Sequence, residues 1–187
     1  MNGGEKMQDY EVEIKGMVPL LHNRYPVNAM DITKKTRKGK IRDPKEDAKK
    51  CLYINAKGKI YQPADHIEGA LIKVGSAITI AGAGKKTYKD LMKTNVMVIP
   101  QEIPFTDGDK YEVDTRLCVL NGRVRIPVSR PRWDEWRFTF KLRLIDETLV
   151  PEEVLKTLLE IAGREQGIGT YRPKFGRFEV VKFEAVK

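Results

Sequence analysis

Two cysteines and two histidines leave this 187-residue chain little material for a metal centre or a nucleophilic triad. Cys51 and Cys118 have no Cys-x-x-Cys spacing, so a tetrahedral zinc site is not expected, and neither is any other metal or cofactor. So few thiols also exclude a disulfide framework. They suit a reducing, cytoplasmic setting in which both are buried as small apolar groups. No apolar run reaches the ~18–20 residues of a membrane span. The opening MNGGEKMQDY has no apolar core and does not read as a signal peptide. Carboxylates are short as well: 26 Asp+Glu face 35 Lys+Arg, a net charge of +9 with histidines neutral. That surplus makes a polyanion the first partner to consider.

What is present is an ordinary folding composition, 41% hydrophobic and 33% charged. A chain of this length suits one domain that buries roughly 70% of its unfolded surface without staples. Residues 1–10 read as a flexible lead-in and 11–187 as the domain. Val12 and Ile14 alternate with Glu11, Glu13 and Lys15, which predicts a first strand. Residues 28–42 carry little apolar content and many lysines, and read as a long mobile basic loop. Asp43-Pro44-Lys45-Glu46 has the features of a helix start. Leu52–Ile54 and Ile60–Tyr61 flank a hairpin. Asp65 followed by Glu68 forms a capping-box pattern ahead of a buried helix from about His66 to Ile78. Val96–Ile99 is a short strand, and Asn121-Gly122 suggests another hairpin.

From Trp136 to Ile145 the alternation is clearest. Trp136, Phe138, Phe140, Leu142 and Leu144 share one face, while Arg137, Thr139, Lys141 and Arg143 share the other. Such a strand belongs to a sheet covered on one side. A helix after Pro151 and a last strand over Phe178–Phe183 complete an α+β sandwich of the ferredoxin-like (RRM-like) kind, an antiparallel sheet with helices on one face plus the long basic loop and hairpin insertions.

Three segments carry the candidate binding residues. Gly167, Gly169 and Gly176 bring backbone N–H groups close to the chain surface, where an anion can meet them, beside Arg172, Lys174 and Arg177. Tyr171 and Phe175 offer rings for bases to stack on. Arg130, Arg132, Arg137, Lys141 and Arg143 belong to an arginine-rich run with Trp133 and Trp136, and arginine matches phosphate geometry better than lysine. Lys34, Lys35, Arg37, Lys38 and Lys40 are placed to close over a bound strand. Each segment has a plainer reading, as a tight connection or a solvated rim. His22 and His66 are weak candidates for the base of a metal-free ribonuclease. Asp31, Asp43, Asp107 and Asp109 are not brought together by spacing, so no magnesium site is expected.

Pro19-Leu20-Leu21-His22, then Tyr61-Gln62-Pro63-Ala64-Asp65-His66-Ile67-Glu68-Gly69-Ala70-Leu71, then a terminal helix with a glycine-containing loop, resemble the RAMP superfamily of CRISPR RNA-binding subunits. The resemblance implies a ferredoxin-like fold and side-on assembly of copies along a strand. Asp31 lies in a loop after the first strand, where some backbone subunits place a catalytic aspartate, though no motif fixes that match. Arg130–Trp136 and Ala162–Phe178 also look like a group of phage and prophage proteins. The resulting expectation is a non-enzymatic, sequence-nonspecific binder of single-stranded RNA or DNA, forming homo-oligomers or filaments, without membrane contact. The alternatives are a RAMP-type endoribonuclease and a phage structural or interaction protein.

Overall fold

The computed structural model describes residues 7–25, 43–120 and 124–186. The central sheet has four antiparallel strands: β1 (Gln8–Gly16), β4 (Val96–Ile99), β8 (Arg137–Leu144) and β9 (Phe178–Ala185). They lie in the order β4-β8-β1-β9. The helices that lead from β1 to β4 and from β8 to β9 are α2 (Ala64–Gly75) and α4 (Glu152–Ile161). That order and connection are those of the β-α-β-β-α-β ferredoxin-like sandwich.

The period-2 pattern of β1 and β8 places Tyr10, Val12, Ile14, Phe138, Phe140, Leu142 and Leu144 on the inner face, each nearly or fully buried. There they meet Ile67, Ala70 and Leu71 of α2 and Leu155, Leu158 and Leu159 of α4. Each large side chain so buried contributes roughly 1.5–3 kcal/mol. β1 starts at Gln8, ahead of the predicted boundary, because Tyr10 is a core residue with 2% exposure.

Two insertions decorate this frame. α1 (Pro44–Lys50) is capped as predicted, with the Asp43 carboxylate accepting from the Lys45 N–H at 2.9 Å. β6 (Glu112–Leu120) and β7 (Val124–Trp133) form a long hairpin, and β2 (Leu20–Leu21) joins it on the β7 side. β3 (Tyr61–Pro63) pairs with β5 (Glu102–Pro104). α3 (Lys89–Asn95) packs beside α2 just before β4.

The capping box predicted at Asp65 and Glu68 is not formed. α2 begins earlier, with Pro63 at the cap position and no side-chain cap. Glu68 turns inward instead and accepts from the Val98 N–H at 2.9 Å, which ties α2 to edge strand β4. Both thiols also depart from expectation. Cys51 and Cys118 are half-buried and have polar neighbours.

Candidate nucleic-acid interface

The open face of the sheet carries Arg137, Lys141 and Arg143. Their register sets them against acidic β1: Asp9 faces Arg143 and Glu11 faces Lys141. Arg143 grips Asp9 with two hydrogen bonds of 2.7 and 2.9 Å. This holds the Asp9 carboxyl below its usual range. Arg137 binds Glu13 and lies 3.2 Å from Asp107. On the far side Lys182 binds Glu11 at 2.7 Å and Glu184 at 3.3 Å. Asp9, Glu11, Glu13, Glu179 and Glu184 thus match Lys15, Arg137, Lys141, Arg143 and Lys182 one for one on this face. Charge on this face balances rather than forming a basic groove: Arg137, Arg143 and Lys182 are held in ion pairs, while Lys15 and Lys141 make none among the described residues.

The glycine loop also differs from its predicted role. Its N–H groups are taken by the chain itself. Thr170 donates to Leu21 O at 3.0 Å, Gly176 to Pro19 O at 2.9 Å and Ile168 to Gly176 O at 2.9 Å. Gly176 has φ 74° and a Cβ there would overlap the Ile168 carbonyl. At Gly169, with φ 78°, a Cβ would come within 2.5 Å of Leu21 O. The glycines therefore clamp the loop onto Pro19–Leu21, and the donors expected to cradle an anion are consumed in that clamp.

The clamp presents a cationic rim. Arg172, Lys174 and Arg177 are exposed and make no ion pair with another described residue. Beside them Tyr171 adopts φ 59° and stays 40% exposed. The Arg130 guanidinium of β7 lies 4.9 Å from the centre of its ring. The Tyr171 hydroxyl sits 2.8 Å from Cys118 Sγ. Burial pushes the Cys118 thiol up, but hydrogen bonds from Tyr171 and Arg130 outweigh it and hold the thiol below its ordinary value. Phe175, by contrast, is 6% exposed and has Arg116 over its ring at 4.7 Å. It is a packing residue, not a platform for a base. Arg132 is engaged by Asp134 and Asp114, and Arg116 by Asp114. Arg125, on the same hairpin, is exposed. The structure thus brings Arg130 and Tyr171 together beside the rim, whereas Arg137 and Arg143 of β8 are engaged by carboxylates. Trp133 and Trp136 are both buried. Lys34, Lys35, Arg37, Lys38, Lys40 and Asp31 lie outside the described residues.

The two histidines, separate in sequence, share one network. Gln62, fully buried, accepts from His22 Nε2 at 2.9 Å. Its amide nitrogen lies 2.7 Å from His66 Nδ1 and 3.2 Å from Pro63 O. The Pro63 carbonyl can only accept, so the –NH₂ faces it and His66 Nδ1 must be an acceptor. His66 therefore carries its proton on Nε2, 3.4 Å from the Tyr53 hydroxyl. It presents a donor there, not a base. Burial lowers the His66 pKa to about 4, with help from the nearby Arg172 charge. Burial lowers that of His22 to about 3. His22 has no exposed surface. Among the described residues no group of three or more His, Cys, Asp or Glu side chains gathers as a metal site, and no helix is long and apolar enough to cross a membrane.

No family model and no curated protein matches the sequence. Solved structures do. A chain of the type III-B Cmr-beta complex bound to cognate target RNA superposes with a TM-score of 0.64 at 15% identity, over 97% of this chain and 61% of that one. This protein therefore spans about three-fifths of that chain's length. Cmr6 from Pyrococcus furiosus gives a TM-score of 0.50 at 12% identity, over 93% of this chain and 98% of that one. The protein has the ferredoxin-like architecture of these RAMP-type CRISPR subunits.

Proposed function

We propose that this protein binds single-stranded nucleic acid, RNA before DNA, without regard to sequence and without chemistry, as a CRISPR-related subunit that repeats along the strand. The observation that carries this reading is the rim of Arg172, Lys174 and Arg177, exposed and without ion pairs among the described residues, beside the Arg130–Tyr171 pair of the hairpin. Exposed cations placed next to a half-exposed ring offer phosphate contacts and a stacking surface together. The RAMP-type fold supports the same reading, since one structure that shares it is a complex with target RNA. His66, held as a donor, and His22, sealed from solvent, favour binding over histidine-based cleavage.

The test is a titration of labelled oligouridylate and oligothymidylate at low salt, with and without EDTA, followed by electrophoresis of the RNA. Binding of intact strand in both conditions, tighter for RNA, is the expected result. No binding to either polyanion overturns the proposal, and strand scission overturns its non-enzymatic part.

A further inference from the structure

Among the described residues Tyr171 alone, apart from glycines, has a positive φ. That backbone is costly for a bulky side chain and persists only where the surroundings impose it. The main chain is tied on both sides of the ring. The Thr170 N–H donates to Leu21 O, and the Tyr171 carbonyl accepts from the Phe175 N–H at 3.2 Å. The side chain is then held at three places. The Arg130 guanidinium stands over one face. The Phe175 ring meets it at 64°, with the centres 6.4 Å apart. The hydroxyl reaches Cys118 Sγ on the hairpin, 53 residues away in sequence. The face opposite Arg130 meets no other described ring or cation.

Hydrogen-bond accounting gives the thiol its part in this arrangement. The Arg116 carbonyl, 3.8 Å from Cys118 Sγ, can only accept, so the S–H faces it. The sulfur is left as an acceptor for the Tyr171 O–H and for an Arg130 N–H at 3.7 Å. One sulfur atom thus joins the ring's hydroxyl to the cation that covers the ring's face. A ring fixed before a base arrives loses less freedom on binding than a free one, and the difference appears as affinity.

We propose that Cys118 is a positioning residue for Tyr171: its sulfur fixes the hydroxyl, so that the ring stands against Arg130 and offers a base of the bound strand its other face. The proposal rests on the nucleic-acid-binding reading above and adds to it how the stacking surface is held. The test is a mutant cycle, read as affinity for labelled oligouridylate at several salt concentrations, with thermal unfolding of each variant to verify the fold. Cys118→Ala removes the acceptor, and Tyr171→Phe removes the donor while keeping the ring. Each weakens binding about threefold to tenfold, the equivalent of one hydrogen bond. The salt slope stays in place, because no phosphate contact is lost. The double variant binds no more weakly than either single one, since both changes break the same bond. Cys118→Ser restores affinity to within about twofold, because a hydroxyl keeps both the donor and the acceptor. Parental affinity in Cys118→Ala overturns the proposal. So do losses that add in the double variant, which would mean that each residue acts separately through the fold, and so does a serine variant that binds no better than the alanine one. If Tyr171→Ala weakens binding while Cys118→Ala does not, only the positioning role fails. If the parent binds neither oligouridylate nor oligothymidylate, the functional reading fails with it.

Discussion

His22 Nδ1 has no hydrogen-bond partner, although the residue is fully buried among Tyr53, Phe105 and Trp133. An unanswered acceptor of this kind costs about 1–3 kcal/mol, and the ring is kept neutral because charging it would cost more. Folded-state pKa values of about 3 for His22 and about 4 for His66 lie below the unfolded value near 6.5. The unfolded chain therefore takes up protons first, and the stability tied to these rings is present above pH 6.5 and lost as pH falls toward 4 and then 3. Each ring removes up to about 1.4 kcal/mol per pH unit within its window. Between pH 6.5 and 5 the carboxyls of Asp9, Glu11 and Asp114, held by their cations below the ordinary carboxylate range, do not yet contribute. Denaturant midpoints measured across that interval should fall by an amount set by the histidines alone, and a flat profile would refute their burial as neutral rings. The sequence marked both residues but not their connection. Gln62, which joins them, is an unremarkable polar residue until the fold buries it, and no local pattern announces that.

The elements show why alternation reveals faces but not partners. The period-2 pattern of β8 gave its inner and outer residues correctly, and Asp9, Glu11 and Glu13 show the same period in β1. What alternation does not state is register, and register turns Arg143 toward Asp9 and Arg137 toward Glu13. Arg137 and Arg143 thus looked like a binding surface because Glu13 and Asp9 lie more than a hundred residues away in sequence. Capping chemistry worked for Asp43 and failed at Asp65, where tertiary contacts drew Glu68 to Val98. The glycine loop was located correctly as a special segment, but its glycines serve close packing on Pro19–Leu21. A comparison of two neutral double variants separates the faces. Arg137→Gln with Arg143→Gln should leave RNA affinity and its salt slope unchanged, with only the slight stability loss expected of surface ion pairs. Arg172→Gln with Lys174→Gln should weaken binding and flatten the slope by about 1.4. Fluorescence anisotropy at several salt concentrations reads both, and the opposite ranking would return the strand to the sheet face.

Across the whole molecule, the fold was largely legible because each ferredoxin-like element carries its own periodicity and the chain order fixes a small set of topologies. The interface was less so, because a net charge of +9 says nothing about where the charge collects. In the folded protein the sheet face cancels. Arg172, Lys174 and Arg177 on the clamp rim are exposed and make no ion pair among the described residues. A strand held there displaces counterions from several phosphates at once, and log K falls with log[salt] at about −0.7 per phosphate. Four to six contacts give a slope of roughly −3 to −4. Because the contacts are to phosphate, oligouridylate and oligoadenylate should share that slope within error even where base stacking on Tyr171 separates their affinities. Tyr171→Ala should then weaken binding by roughly 1–3 kcal/mol while leaving the slope in place. A parental slope near zero would mean that the positive surplus takes no part in binding. A slope that changed with base identity would mean that bases, rather than phosphates, determine how the strand sits.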